Sequence, residues 1–277
     1  MLTRREFLAL SAAMTACTAY DVSAQQPASS AKPNILFILA DDLGWGDLSC
    51  YGRPDYKTPI LDDLAARGIR LTQAYANSST CSPTRVALIT GRYQTHLPVG
   101  LYDPLPGGAP AGLPPQHPTL PSLLKTAGYR TALVGKWHLG FPPAFGPLKS
   151  GYDEFFGFLG GAMTYFTHKA GPLRGAPTVH GLYEGEAHVE RDGYSTDLFA
   201  DRAIDIVKSA DPKPFFLSLH FNAPHWPWEG PQDQAKAASI RQMAHYDGGA
   251  PRTFGDGGEH GRRRGTCPQG TRDVRAC

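Results

Sequence analysis

The chain has 277 residues, of which 41% are hydrophobic and 19% are charged, and it contains 31 glycines and 25 prolines. This composition is typical of a globular protein with many turns, and the length fits one large domain. The formal net charge of +2 is too small to indicate a polyanionic partner, so we exclude nucleic-acid binding.

The N-terminus predicts an export signal. Arg4 and Arg5 precede a short apolar run, and residues 1–24 resemble a twin-arginine signal peptide. We therefore expect the twin-arginine machinery to export a periplasmic or secreted protein, in which residues 25–32 form a linker. The alternative is a lipid anchor at Cys17, because Met-Thr-Ala-Cys resembles a weak lipoprotein box.

The sequence that follows the linker opens with a predicted buried strand over residues 34–40, which is short, apolar and rich in branched side chains. Asp41 and Asp42 follow it. Ligands of parallel α/β sheets bind beyond the carboxyl ends of the strands, so these carboxylates are placed to hold a hard cation. The alternative is an aspartate pair that only caps a turn.

Cys81 stands at the start of a predicted helix, because Pro83 favours a first turn and Gly91 supplies a stop. The helix N-terminus offers free N–H groups and partial positive charge, and Arg85 lies one turn along, which predicts an anion site. The alternative is a structural exported protein in which Cys81 forms a disulfide with Cys50.

A second helix and strand are predicted over residues 120–125 and 130–135, and they bring Lys136 and His138 to the working edge of the sheet. If the chain stays extended, both side chains project to the same side. A cation beside an imidazole suits an anionic substrate and proton transfer. The alternative is a solvated lysine beside a core histidine.

A third such unit combines a helix over residues 195–210 with a buried strand over residues 214–221. The Pro-His-Trp-Pro loop that follows the strand carries His225, which is therefore a candidate site residue. His220 lies within the strand, where we predict that it only packs.

Four of these segments resemble those of the type I sulfatases, a family of the alkaline phosphatase superfamily, and they occur in the family's order. The segment ADDLGWGD at residues 40–47 resembles the first metal-binding segment. Residues 81–85, CSPTR, resemble the signature whose cysteine is oxidised to formylglycine, and GYRTALVGKWHLG at residues 128–140 is similar to the second signature throughout. The fourth segment, PHWP at residues 224–227, resembles the loop that carries the family's sulfate-contacting histidine, here His225. The resemblance implies an α/β fold, with a mostly parallel sheet sandwiched between helices.

The resemblance also implies hydrolysis of sulfate esters by a formylglycine nucleophile. The implied partners are a sulfated small molecule or carbohydrate and a formylglycine-generating enzyme that oxidises the cysteine. The implied cofactor is Ca²⁺, with Mg²⁺ as the alternative. The implied catalytic residues are Cys81, Arg85, Lys136, His138 and His225, and the implied metal ligands are Asp41, Asp42 and Cys81.

Two other functions remain open at this point. A phosphonate or phosphodiester hydrolase of the same superfamily can use the same nucleophile and a similar cation site. A non-catalytic exported anion-binding protein would keep the helix N-terminus and Arg85 without any oxidation of the cysteine.

We predict an incomplete N-terminal catalytic domain over residues 33–245 and an atypical, disordered tail over residues 246–277. The tail is rich in glycine and arginine and has little apolar periodicity. Sulfatases continue to an Asp-Asn pair that completes the metal site and then to a second domain. Neither is visible in this sequence, so we expect the C-terminal part to be missing and the activity of this chain to be low.

Overall fold

The computed structural model describes residues 32–169 and 181–237, so the predicted signal peptide, most of the predicted linker and the predicted tail lie outside the described residues. The strands are β1 (Ile35–Asp41), β2 (Arg130–Lys136), β3 (Glu154–Phe158), β4 (Leu182–Glu184), β5 (Ala187–Val189) and β6 (Phe215–Pro224). The α-helices are α1 (Pro59–Arg67), α2 (Cys81–Thr90), α3 (Leu120–Thr126) and α4 (Ser195–Lys208). Short 3-10 helices span Trp45–Asp47, Ser49–Tyr51, Gln94–His96, Pro98–Leu101, Pro147–Ser150 and Gln234–Lys236.

The six strands form one sheet in the order β1-β6-β2-β3-β4-β5. The pairs β1–β6, β6–β2 and β2–β3 are parallel, whereas β3–β4 and β4–β5 are antiparallel. The three strands predicted over residues 34–40, 130–135 and 214–221 are therefore confirmed as β1, β2 and β6. The predicted burial of the first strand is wrong, because β1 lies at the edge of the sheet and leaves Leu36 and Ile38 exposed. Strands β3 to β5 are additions that the sequence analysis did not predict.

The strand register brings the predicted site segments to one edge of the sheet. Asp41 at the end of β1 lies opposite Pro224 at the end of β6, and Gly135 near the end of β2 lies opposite His220. Because parallel strands all run the same way, the segments that follow these three strands meet at a single edge.

Alternate strand residues pack into two different layers, as the twofold side-chain period of a strand requires. Leu133 and Phe216 pack in one cluster with Val86 of α2. Val134 packs in the other cluster with Phe199 of α4. The expected helices on both faces of a mostly parallel sheet are thus confirmed.

Helix α2 begins at Cys81, as predicted, and Gly91 ends it in a left-handed conformation with φ 66°. Its buried face includes Val86 and Ile89, and this face seats the helix on the sheet. The cysteine is therefore held at the N-terminal end of an anchored helix.

Among the described helices, none combines the length and apolar character that crossing a membrane requires.

Candidate active site at the carboxyl edge of the sheet

Asp41 forms two buried ion pairs at the end of β1. Its Oδ1 lies 3.1 Å from Nη2 of Arg85, and its Oδ2 lies 2.5 Å from Nζ of Lys136. All three residues are buried, and Lys136 is completely enclosed. Burial by itself raises the pKa of Asp41, but the Lys136 ammonium and the Arg85 guanidinium outweigh it and hold that pKa well below its usual range. Asp41 is therefore a carboxylate at any physiological pH.

Cys81 lies next to this carboxylate. A carboxylate oxygen of Asp41, the Sγ of Cys81 and a ring nitrogen of His225 all lie within 4.8 Å of one another. Within residues 32–169 and 181–237 this is the one cluster of three such side chains that could hold a metal ion. Cys50 and Cys81 are both free thiols, so the alternative disulfide between them is wrong.

His138 reaches the site in a conformation that the sequence did not predict. Strand β2 ends at Lys136, and His138 takes a left-handed backbone with φ 60°, which is uncommon for a residue with a side chain. The chain is therefore not extended at His138, and the prediction that Lys136 and His138 project to the same side loses its basis. The Nε2–H of His138 donates to the carbonyl oxygen of Leu105 at 3.0 Å, which leaves Nδ1 as the unprotonated nitrogen.

The surroundings of His138 keep it neutral. Burial and the nearby Lys136 ammonium lower its pKa well below the usual value. A Cβ atom on Gly161 would lie 2.6 Å from Cε1 of the imidazole, so a glycine is required where this segment crosses the ring. Gly161 was not predicted as a site residue, because nothing in the local sequence indicates which side chain packs against it.

His225 lies on the turn after β6 and faces Asp42. Its Nε2 is 3.7 Å from Oδ2 of Asp42, whose backbone is also left-handed with φ 66°. Its Nδ1–H donates to the carbonyl oxygen of Trp226 at 2.6 Å. Burial and then the Lys136 ammonium lower the pKa of His225, so the ring is placed as a neutral polar group beside the carboxylates.

The His225 turn is held by a buried tyrosine. The hydroxyl of Tyr165 lies 3.0 Å from the carbonyl oxygen of Asn222 and 2.9 Å from that of His225. The backbone N–H of Tyr165 donates to Glu229 at 2.7 Å, which ties the same segment to the chain beyond the turn. The sequence analysis missed Tyr165 because its partners are backbone atoms about 60 positions away.

His220 does more than pack. Its Nδ1 lies 3.3 Å from Nη1 of Arg85 and 3.2 Å from the carbonyl oxygen of Lys136. Burial, followed by the Arg85 guanidinium, lowers the pKa of His220 to about 3. A histidine inside an apolar strand carries no sequence signal for such contacts, so the prediction that it only packs was incomplete.

The structure thus brings all seven predicted site residues to one edge of the sheet. Asp41 and Asp42 supply carboxylate oxygens, which fit a hard cation such as Ca²⁺. The thiol of Cys81 is a soft ligand, and an oxygen at the same position would suit that cation better. The donor set therefore fits the predicted cation at Asp41 and Asp42, whereas the thiol of Cys81 does not.

These features define a class of protein: an α/β protein with charged side chains at the carboxyl edge of a parallel sheet, and a cysteine at the N-terminus of an adjoining helix. The sulfatase family model matches residues 33–253. The chain belongs to the sulfatase family, as the sequence resemblance predicted.

Curated relatives agree with this assignment. Human N-acetylgalactosamine-6-sulfatase is 39% identical over 218 residues, which is 70% of this chain and 40% of that protein. Mouse steryl-sulfatase is 44% identical over 164 residues, which is 53% of this chain and 26% of that protein. The chain thus spans less than half the length of these relatives.

Solved structures share the fold. The crystal structure of Ps i-CgsB in complex with k-i-k-neocarrahexaose matches with a TM-score of 0.63 and 35% identity, over 76% of this chain and 49% of that chain. A structure in complex with its substrate D-Glucosamine-2-N, 6-O-disulfate matches with a TM-score of 0.59 and 31% identity, over 72% of this chain and 36% of that chain.

Proposed function

We propose that this chain carries the nucleophile of a sulfatase, which hydrolyses sulfate esters through formylglycine formed from Cys81. The observation that carries the proposal is the cluster of Asp41, Cys81 and His225 within 4.8 Å, together with two buried cations that ion-pair with Asp41. A sulfate ester needs this combination, because its transition state is strongly anionic and must be held by fixed charges.

In hydrated formylglycine at position 81, one hydroxyl would attack sulfur, the sulfur–oxygen bond to the alcohol would break, and the alcohol would leave with a proton. Deprotonation of the second hydroxyl would then expel sulfate by carbon–oxygen cleavage and restore the aldehyde. Ca²⁺, or Mg²⁺ as the alternative, would be held by Asp41, Asp42 and residue 81, and it would supply positive charge for the sulfate oxygens.

The protein groups around residue 81 have separate roles in sulfate binding and proton transfer. Lys136 has three donor hydrogens and gives one to Asp41, so two remain for sulfate oxygens. The unprotonated Nδ1 of the neutral His138 is suited to accept a proton from the diol. Arg85 holds the Asp41 carboxylate, and His225 would contact the sulfuryl group through Nε2, which can donate to it only when the ring is protonated.

We propose a sulfated carbohydrate as the substrate class. Three relatives support it: one is named for N-acetylgalactosamine-6-sulfate hydrolysis, and two solved structures contain carbohydrate ligands, one of them a named substrate. The alternative substrate is a sulfated small molecule that is not a carbohydrate. A panel of sulfated sugars and aryl sulfates would separate them, since equal rates on all members contradict carbohydrate selectivity.

Two further proposals concern the export of the chain and the modification of Cys81. We propose export through the twin-arginine machinery to the periplasm or beyond, with conversion of Cys81 by a formylglycine-generating enzyme. The support is the Arg4-Arg5 motif and the CSPTR segment. Replacing both arginines with lysine should retain the protein in the cytoplasm, and unchanged export of that variant would contradict the proposed route.

The function is tested by coexpression with a formylglycine-generating enzyme, with Cys81→Ala as the control. We expect the mass of the peptide containing residue 81 to fall, because an aldehyde replaces its CH₂–SH group. We expect slow, Ca²⁺-dependent turnover of para-nitrophenyl sulfate, since Asp41 and Asp42 supply only part of a shell of about 6–8 oxygens. An unmodified thiol, equal turnover by Cys81→Ala, or faster turnover of the phosphate ester would contradict the proposal.

A further inference from the structure

A small cavity lies behind the site, between the sheet and helices α2 and α3. Its volume is ≈ 20 Å³, which is room for about one water molecule. Most of its lining is apolar, and Ser218, whose Oγ pairs with the Tyr152 hydroxyl, adds one polar group. Arg85, Trp137 and His220 also line the cavity, so it borders the site at Arg85.

Each of these three residues has a buried nitrogen without a hydrogen-bond partner among the described residues. They are Nε of Arg85, Nε1 of Trp137 and Nε2 of His220. Arginine Nε and tryptophan Nε1 can only donate. Buried polar groups are rarely left unpaired, because each one costs the free energy of its lost hydration. A water molecule bound in the cavity would supply an acceptor for both donors.

The tautomer of His220 follows from the Lys136 carbonyl oxygen. That oxygen accepts from Nη1 of Arg85 at 3.0 Å and lies 3.2 Å from Nδ1 of His220. It has two lone pairs and can only accept, so it needs a proton on Nδ1, whereas Nη1 of Arg85, 3.3 Å from the same Nδ1, can only donate. We assign the proton to Nδ1, because Nη1 already has the carbonyl oxygen as its acceptor and one water could not accept from three donors in the cavity. The Nε2 of His220 is then an acceptor, and it belongs to a residue that lines the cavity.

We propose that His220 is a positioning residue for Arg85, and that it acts together with one water molecule bound in this cavity. The water accepts from Nε of Arg85 and Nε1 of Trp137 and donates to Nε2 of His220. Every nitrogen named above is then paired. The guanidinium is held on two sides, so Nη2 stays aimed at Asp41. The importance of this arrangement for catalysis rests on the proposed function, but the water and the tautomer do not.

Two measurements on the unmodified chain test the proposal without any activity assay. Nitrogen NMR of the His220 ring should show a protonated Nδ1 and an unprotonated Nε2. A high-resolution crystal structure should show one water in the cavity, within hydrogen-bond distance of the three nitrogens. A protonated Nε2 or a dry cavity would overturn the proposal.

Variants of His220 test the positioning role. Glutamine can supply an amide oxygen that accepts in place of Nε2, whereas phenylalanine fills the space and accepts nothing. We expect the Nε–H hydrogen of Arg85 to exchange roughly tenfold faster in His220→Phe, the factor that one lost hydrogen bond produces, and to stay closer to the original rate in His220→Gln. Equal exchange in both variants and the original chain would show that His220 only packs. If His220→Phe does not fold, the comparison of His220→Gln with His220→Leu replaces it.

Discussion

At the residue scale, Asp41 is the point where the charges of the site meet. Its carboxylate is the shared partner of Arg85 and Lys136, and all three side chains are almost fully removed from solvent. A buried carboxylate between two cations compensates both of them. Its removal leaves two like charges enclosed together, which is more costly than the loss of an exposed ion pair.

Replacement of Asp41 by asparagine should therefore lower the free energy of unfolding by about 3–5 kcal/mol. Urea denaturation in the presence of a chelator measures this change without any contribution from a bound cation. Asp63→Asn is the matched control, because Asp63 pairs with Arg67 on the exposed surface of α1 and its replacement should leave the urea midpoint nearly unchanged. Similar midpoints for the two variants would contradict the buried-charge argument.

A second prediction at this scale concerns the neutral His220. Its pKa in the fold is about 3, set by burial first and the Arg85 guanidinium second, with Asp41 and the Lys136 carbonyl acting in the opposite direction. An unfolded histidine has a pKa of about 6.5. At pH values between these two pKa values, the unfolded chain binds one more proton than the folded chain. His220 therefore makes the free energy of unfolding fall as the pH decreases from about 6.5 towards 3.

Urea titrations across this pH range should show a smaller slope for His220→Asn than for the original chain. The difference should approach the binding of one proton, or about 1.4 kcal/mol per pH unit. Above about pH 7 the slopes should agree, because both states then hold a neutral ring. Identical slopes below pH 6 would show that His220 is protonated in the fold.

Gly161 provides the third residue-scale prediction. A methyl group there would lie 2.6 Å from Cε1 and 2.8 Å from Nε2 of His138, so Gly161→Ala must displace the imidazole. Overpacking of this kind costs about 1–3 kcal/mol. The neighbouring Gly160 has nothing within 4 Å of an added Cβ, so Gly160→Ala is the control and should be nearly neutral. Equal urea midpoints for the two variants would contradict the assigned contact.

At the element scale, the turn after β6 depends on a residue from outside it. Tyr165 lies in a loop after β3, and its hydroxyl contacts two carbonyl oxygens of the turn. The strand itself is fixed by its pairing with β1 and β2, but the chain beyond it leaves the sheet. Pairing with β1 places the end of the strand at Pro224, and the Tyr165 hydroxyl adds a contact to the carbonyl oxygen of His225 itself.

Tyr165→Phe should leave the sheet intact and loosen the turn. The two carbonyl oxygens lose a shared donor, at a cost of about 1–3 kcal/mol. Hydrogen exchange of the His225 amide, which donates to Asn222, should accelerate more than that of amides in β2. The exposed Tyr93 supplies the control variant, Tyr93→Phe. Uniform acceleration across β2 and the turn would indicate general destabilisation instead.

At the scale of the whole molecule, the two faces of the sheet are covered unequally. Leu36 and Ile38 of β1 lie beside Leu217 and Leu219 of β6 and point to the same face. Helix α4 packs over the β6 pair, which is buried, whereas Leu36 and Ile38 are 49% and 48% exposed. Within the described residues, β1 pairs with β6 alone, so its outer edge is also unpaired.

Exposed apolar side chains on an unpaired edge strand favour association with other chains. We expect the purified chain to bind a hydrophobic dye and to scatter light increasingly with concentration. The double variant Leu36→Thr and Ile38→Thr should reduce both signals, because threonine keeps the strand propensity and removes apolar surface. Leu71→Thr is the control at an exposed leucine outside the sheet. An equal reduction by that control would contradict a specific role for β1.

Much of this architecture was predictable from local patterns. The apolar runs that became β1, β2 and β6 are long enough to identify, and the polar residues that follow them could be assigned to one edge because parallel strands share a direction. The short strands β4 and β5 were missed. Each has three residues, which is too few to show the twofold alternation of side chains along a strand.

The sequence by itself determined the family, the start of helix α2 at Cys81 and the identities of the charged residues at the sheet edge, because motif spacing and chain direction are properties of neighbouring residues. Only the tertiary structure decided that Asp41 is shared by two buried cations, that Gly161 packs against His138 and that His220 contacts Arg85. Those contacts join residues 23 to 135 positions apart. They arise from the order of strands in the sheet and the seating of helices on it, which no local pattern of side chains records.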